Sequence, residues 1–211
     1  YVQNEKLREA LSFHTLLVGG NPMNTSAIYA LIHTIEKDGG VWFARGGTNQ
    51  LVAGMVRLFE RLGGTIRLDD PVTEITTSGD KATGVKTASG WHGTADMVAS
   101  NGDMMHNYAA LLKGHPRGGK AAKGLARKRW SPSLFVLHMG VKGEYPDVAH
   151  HSIIFGPRYK GLLDDIYKNG VVADDFSLYL HHPTATDKSL APEGYSTFYV
   201  LAPVAHMGKA K

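Results

Sequence analysis

Four glycine pairs punctuate the first 64 residues, and they decide what this part of the chain can build: Gly19-Gly20, Gly39-Gly40, Gly46-Gly47 and Gly63-Gly64. Glycine accepts the left-handed cap that ends a helix, so each pair limits the apolar run before it to a short helix. The spacing predicts a helix over 4–17, with Leu7, Leu11 and His14 on one face, stopped by Gly19, Gly20 and Pro22. A second is expected from a cap at Thr25 or Ser26 to about 37, with Ile28, Leu31, Ile32 and Ile35 on one stripe. A third runs over 48–62 after the turn Arg45-Gly46-Gly47-Thr48, with Leu51, Val52, Met55, Val56, Phe59 and Leu62 inward. VWF at 41–43 reads as a short strand between them.

After Gly64 the texture changes. TIRL, VTEIT, ATGVKTA and WHGTADMVAS are strand-like and separated by DDP, SGD and SG, which is turn chemistry. Residues 104–112 read as helical. The basic, glycine-broken stretch 117–125 is the nearest thing to a linker. Strands are expected at 133–141, 176–182 and 195–204, and a helix at 157–170 with Leu162, Leu163 and Ile166 at helical spacing.

Charge is unevenly placed. The net charge is +4, yet no acidic residue lies between Asp103 and Glu144. Arg117, Lys120, Lys123, Arg127, Lys128 and Arg129 fall in that gap, followed by Trp130. A solvated surface is the ordinary reading, and an anionic membrane surface is the functional one, because Trp and Leu flank the charges. Aromatic residues are not interleaved with the basic ones, so nucleic acid is not expected as a partner.

Several chemistries lack their residues. There is no cysteine, which removes thiol catalysis and disulfides. No G-x-S-x-G elbow surrounds Ser12, and none of the glycine pairs forms G-x-G-x-x-G or a P-loop. The histidine pairs His150-His151 and His181-His182 lack helical ligand spacing, and adjacent residues of a strand point to opposite faces, so no metal site is expected. Asp69-Asp70, Asp164-Asp165 and Asp174-Asp175 read as solvated charge. The chain has no initiator Met, and an internal piece of a longer polypeptide is expected.

Particular strings go further. LREALSFHTLLVGGNPMNTSAIYALIH, GVWFARGGTNQLVAGMVRLFERLGG, FGPRYKGLLDDIY and DFSLYLHHPTATDKSLAPEGYSTFYVLAPVAH resemble, in order and along essentially the whole chain, the middle of the bacterial-type phytoene desaturases. These are flavoproteins of the amine-oxidase-like superfamily. The resemblance implies a mixed α+β and α/β fragment of a two-domain flavoprotein, with a Rossmann-type FAD domain and a mixed-sheet, helical substrate domain. Residues 1–43 and 133–211 would belong to the substrate domain, 44–103 to the returning part of the FAD domain, and 104–132 to a basic, membrane-facing segment. The cofactor is expected to be FAD, with its pyrophosphate motif outside this chain.

Val72 would meet the adenine through main-chain groups, and Ser100 and Asn101 would end the run that returns to the cofactor. Asn-Gly-Asp stands here where Asn-Ala-Asp is common in the family. Phe13, His14 and Leu17 would line part of an apolar tunnel for phytoene or a related polyene. No catalytic acid or base is assigned. Peripheral association with the cytoplasmic face of the inner membrane is expected. The alternatives are a related carotenoid isomerase, ketolase or diapophytoene-type desaturase, or a non-catalytic membrane-surface module.

Overall fold

The computed structural model describes residues 2–208. They form two units. One takes in the described residues up to Arg57 together with those from Trp130 onward, and the other spans Leu58–Arg129.

The first unit opens with α1 (Glu5–Ser12), capped by the Asn4 side chain accepting from the Leu7 N–H at 3.1 Å, and α2 (His14–Leu17). The single helix expected over 4–17 is broken at Phe13. Around the break, the Ser12 hydroxyl donates to the Glu9 carbonyl and the Thr15 hydroxyl to the Ser12 carbonyl. Such side-chain bonds compete with the helix ladder. The second expected helix starts as a single 3-10 turn, Ala27–Ala30, capped by Ser26, and continues as α3 (Leu31–Gly39). Residues 41–43 are not a strand. Then follows α4 (Thr48–Arg61).

In the second unit, β1 (Val72–Ser78), β2 (Lys81–Thr87) and β3 (His92–Thr94) form an antiparallel meander in that order. The turn between β1 and β2 is the two residues Gly79 and Asp80, with Gly79 at φ 56°. Gly84 sits opposite Thr94, where an added Cβ would lie 1.9 Å from the Gly93 carbonyl oxygen, so only glycine fits. TIRL is not a strand, and the expected strand WHGTADMVAS contracts to β3. The strands that would pair with these segments are missing among the described residues. A short α5 (Met104–His106) runs into a π-type turn closed by the Leu112 N–H on the Asn107 carbonyl. The stretch expected to be linker-like is instead α6 (Pro116–Leu125). Pro116 is at the helix start, His115 caps the Arg117 N–H, and the buried Gly118 packs against the Leu112 backbone.

Back in the first unit, β4 (Ser133–Lys142), β5 (His151–Ile154), α7 (Tyr159–Asp164), β6 (Leu178–His181) and β7 (Tyr195–Val204) complete the chain. The four strands form an antiparallel sheet in the order β4-β7-β6-β5. β5 was not expected from the sequence. On α7 and the turn after it, Leu162, Leu163 and Ile166 are buried, as their spacing predicts, and Tyr159 is buried with them. Tyr159 reaches Ser12 at 3.3 Å, and the Tyr167 hydroxyl donates to the Gly20 carbonyl at 2.9 Å, which ties this helix beneath the α2 stop.

The other helical stripes stay open. Leu51, Val52, Met55 and Phe59 of α4 are exposed rather than inward, as are Leu31 and Ile35 of α3. Leu134, Phe135, Val136 and Leu137 on β4 are exposed as well, so both faces of that strand are open.

Candidate functional site

The register of the four-stranded sheet sets one row of side chains across it. His138 of β4 lies opposite Tyr199 of β7, Tyr199 opposite His181 of β6, and His181 opposite His151 of β5. Directly opposed residues share a face, so four polar aromatic rings line up on one side of the sheet. Tyr179, two residues before His181, stands on the same face and its hydroxyl is 2.6 Å from His151 Nδ1. His150 precedes β5, so strand alternation does not turn it away. Its ring stacks on His151 at 4.3 Å, and its Nε2 lies 2.8 Å from His181 Nε2. Adjacent histidines therefore do not diverge at this pair. His150 Nδ1 meets the Thr186 hydroxyl, and the Phe43 ring closes edge-on over His150 at 4.8 Å.

The other pair, His181-His182, does diverge. The buried His182 donates from Nδ1 to the Val148 carbonyl and stacks on Phe198 at 4.3 Å. Partial burial comes first, and the neighbouring imidazoles second, in lowering the pKa of His150, and of His181 to about 4. Both rings are therefore neutral at neutral pH. Burial raises the pKa of Tyr179 well above the phenol's ordinary value. A cleft of about 460 Å³ near Tyr145, His182 and Tyr195 carries the Glu144–Lys188 ion pair in its wall, which does not suit a hydrocarbon.

Among the substrate-domain candidates, His14 is 7% exposed and its Nε2 pairs with the Glu36 carboxylate at 3.1 Å. Its ring lies 4.2 Å from Phe13 on one side and 4.2 Å, edge-on, from His33 on the other. Phe13 is half-buried and Leu17 is 69% exposed. The structure thus brings Phe13 and His14 together and leaves Leu17 facing outward.

Val72 opens β1, which is an edge strand, so its outer main-chain groups lack a ladder partner among the described residues. Ser100 and Asn101 are exposed in the loop before α5. The Ser100 hydroxyl donates to Asn107 Oδ1 and accepts from the Gly102 N–H. No hydrogen bond among the described residues joins this loop to Val72. One contact had no sequence signal. The Asp187 carboxylate accepts from the Gly46 N–H at 2.6 Å and pins the Arg45–Gly47 turn to the loop before β7. The Ser189 hydroxyl first, and the Gly46 N–H next, hold this carboxyl below its usual range.

Lys120 and Lys123 are exposed on α6, with Arg127, Lys128 and Arg129 just past its end. None of these five has an ion-pair partner among the described residues. Arg117 differs, being bound to Asp80 at 2.7 Å. Trp130 is half-buried against the His206 ring at 5.8 Å.

Comparison with known proteins gives a consistent answer. Residues 1–208 match the family described as flavin containing amine oxidoreductase. A lycopene-forming phytoene desaturase of Paracoccus sp. is 61% identical over all of this chain, and a neurosporene-forming one of Cereibacter sphaeroides is 45% identical. The chain spans only 42% and 41% of those two relatives. In fold, an oxidoreductase from Methanosarcina mazei superposes with a TM-score of 0.70 at 20% identity, over 97% of this chain and 45% of that one.

The His14 geometry generates a stability prediction. In the full polypeptide, His14→Ala removes a buried partner and is expected to cost about 1–3 kcal/mol in urea denaturation. Glu36→Gln, at a half-exposed carboxylate, is expected to cost about 1 kcal/mol or less. A neutral His14→Ala would show that the pair does not hold α2 on α3.

Proposed function

Because the chain belongs to the family of flavin containing amine oxidoreductases, we propose that it is the central part of an FAD-dependent phytoene desaturase. The observation that carries this reading is the 61% identity to the Paracoccus sp. desaturase along the whole of this chain. The uncovered stripes of α3, α4 and β4 support it too, since they are the faces that the remaining polypeptide would cover.

The residues present fit a flavin in a limited way. β1 offers an open main-chain edge at Val72, and main-chain N–H and C=O groups can pair with a planar adenine edge. Ser100 and Asn101 lie exposed in the loop before α5. No glycine-rich cradle for the pyrophosphate occurs in this sequence. FAD, when bound, supplies the acceptor for a hydride equivalent removed from a saturated carbon pair. The chain's own residues hold and position. Phe13 and Leu17 offer apolar contact to a polyene that has no polar handle, and His14, fixed by Glu36, sets the Phe13 ring.

A hydrocarbon substrate of this length resides in lipid, so the enzyme works at a membrane surface, on the cytoplasmic face of the inner membrane. Lys120, Lys123, Arg127, Lys128 and Arg129 form the contact, with Trp130 behind them and Arg117 tied to Asp80.

Two experiments test these statements. The full polypeptide, loaded with FAD and given phytoene in liposomes, is expected to release a product with an extended polyene chromophore. Unchanged phytoene with FAD bound would remove the desaturase assignment. Reversing the charge at Lys120, Lys123, Arg127 and Lys128 together is expected to weaken binding to anionic liposomes while neutral liposomes are unaffected, and equal sedimentation with both would eliminate the membrane contact.

A further inference from the structure

We propose that His150, His151 and His181 form a binding site for a single divalent transition-metal ion of the zinc type. This goes beyond the flavoenzyme reading and does not rest on it. One ring nitrogen from each of the three lies within 4.8 Å of the other two. The ligands come from two paired strands, with His151 opposite His181 and His150 one residue ahead of β5, so backbone pairing fixes the set before any ion arrives.

Three features distinguish this cluster from a stack of surface histidines. First, His150 Nε2 and His181 Nε2 face one another at 2.8 Å. One shared proton can hold that contact, and replacing the proton by a cation lets both nitrogens present lone pairs to it. Second, the remaining nitrogens of His150 and His151 are already held. Nδ1 of His150 can donate to the Thr186 hydroxyl oxygen, and Nδ1 of His151 to the Tyr179 hydroxyl oxygen at 2.6 Å. Each such bond leaves the lone pair on Nε2 and fixes the ring, which is how outer-sphere partners support ligating histidines. Third, His151 is exposed while His150 and His181 are half-buried, so an ion has an approach from solvent.

The distances are near what a metal needs. Tetrahedral zinc with Zn–N bonds of about 2.0–2.1 Å sets its ligand nitrogens about 3.3 Å apart. The 2.8 Å gap must open by about 0.5 Å, and the widest separation allowed by the 4.8 Å limit must close by about 1.5 Å.

A second set, His14, His33 and Glu36, meets the same distance limit. There Nε2 of each histidine faces an oxygen acceptor and so carries a proton in place of an open lone pair. His14 Nε2 is paired with the Glu36 carboxylate, and His33 Nε2 with the Leu11 carbonyl at 2.9 Å. The hydrogen bond to Glu36 accounts for the His14 geometry without a metal.

The test uses the full polypeptide after chelator treatment, titrated with Co²⁺ by difference absorption and with Zn²⁺ by calorimetry. One equivalent is expected to bind, with the ligand-field bands of four-coordinate Co²⁺. His150→Gln and His181→Gln are each expected to weaken binding about tenfold or more. His151→Gln lies at an exposed position, so it loses affinity without loss of fold, as its melting temperature will report. His14→Gln is expected to leave binding unchanged. The proposal is overturned by absence of stoichiometric binding, by binding that survives all three substitutions, or by binding lost in His14→Gln alone.

Discussion

An amphipathic helix is stable in water only when its apolar face is covered, and here most of those faces are bare. α4 carries Leu51, Val52, Met55 and Phe59 into solvent, and β4 exposes apolar side chains on both of its faces. At about 25 cal/mol per Å², apolar surface left in water is a standing cost to these elements. The relatives to which the chain is similar are more than twice its length, so they contain enough further polypeptide to cover these faces.

Against that background, the parts that are internally satisfied stand out. The ten-residue ladder between β4 and β7 fixes the register, and the register places His138, Tyr199, His181 and His151 in one row. α7 is buried beneath α1 and the α2 stop through Tyr159 and Tyr167. His14 is buried because Glu36, one helix away, answers its Nε2. The first unit thus holds two histidine clusters, one that includes a carboxylate and one with nitrogen facing nitrogen.

Much of this was legible in the sequence. The glycine stops, the meander, the long strands at 133–141 and 195–204 and the buried face of 157–170 follow from periodicity and turn chemistry, which act locally. The failures have one cause. TIRL, VWF and the second half of WHGTADMVAS have strand composition, but a strand exists only beside a partner, and none of them has one among the described residues. The α4 stripe reads as inward for the same reason. At 117–125 glycine content suggested a linker, yet Pro116, the His115 cap and the alanines suffice for a helix, with Gly118 needed for close packing. The site was harder. The histidine doublets were visible, but their convergence depends on β5 pairing with β6 across 30 residues. The Asp187–Gly46 clamp spans 141 positions and has no local signature.

The central claim is that the open faces of this chain are interior surfaces of a larger flavoprotein. Hydrogen–deuterium exchange of the α4 amides tests it most directly, compared between the 211-residue chain alone and the full polypeptide. Slow exchange in the full polypeptide and fast exchange in the isolated chain is the expected result, because covering the stripe suppresses local opening. Equally fast exchange in both would mean that these faces meet solvent in the intact protein, and the account would be wrong.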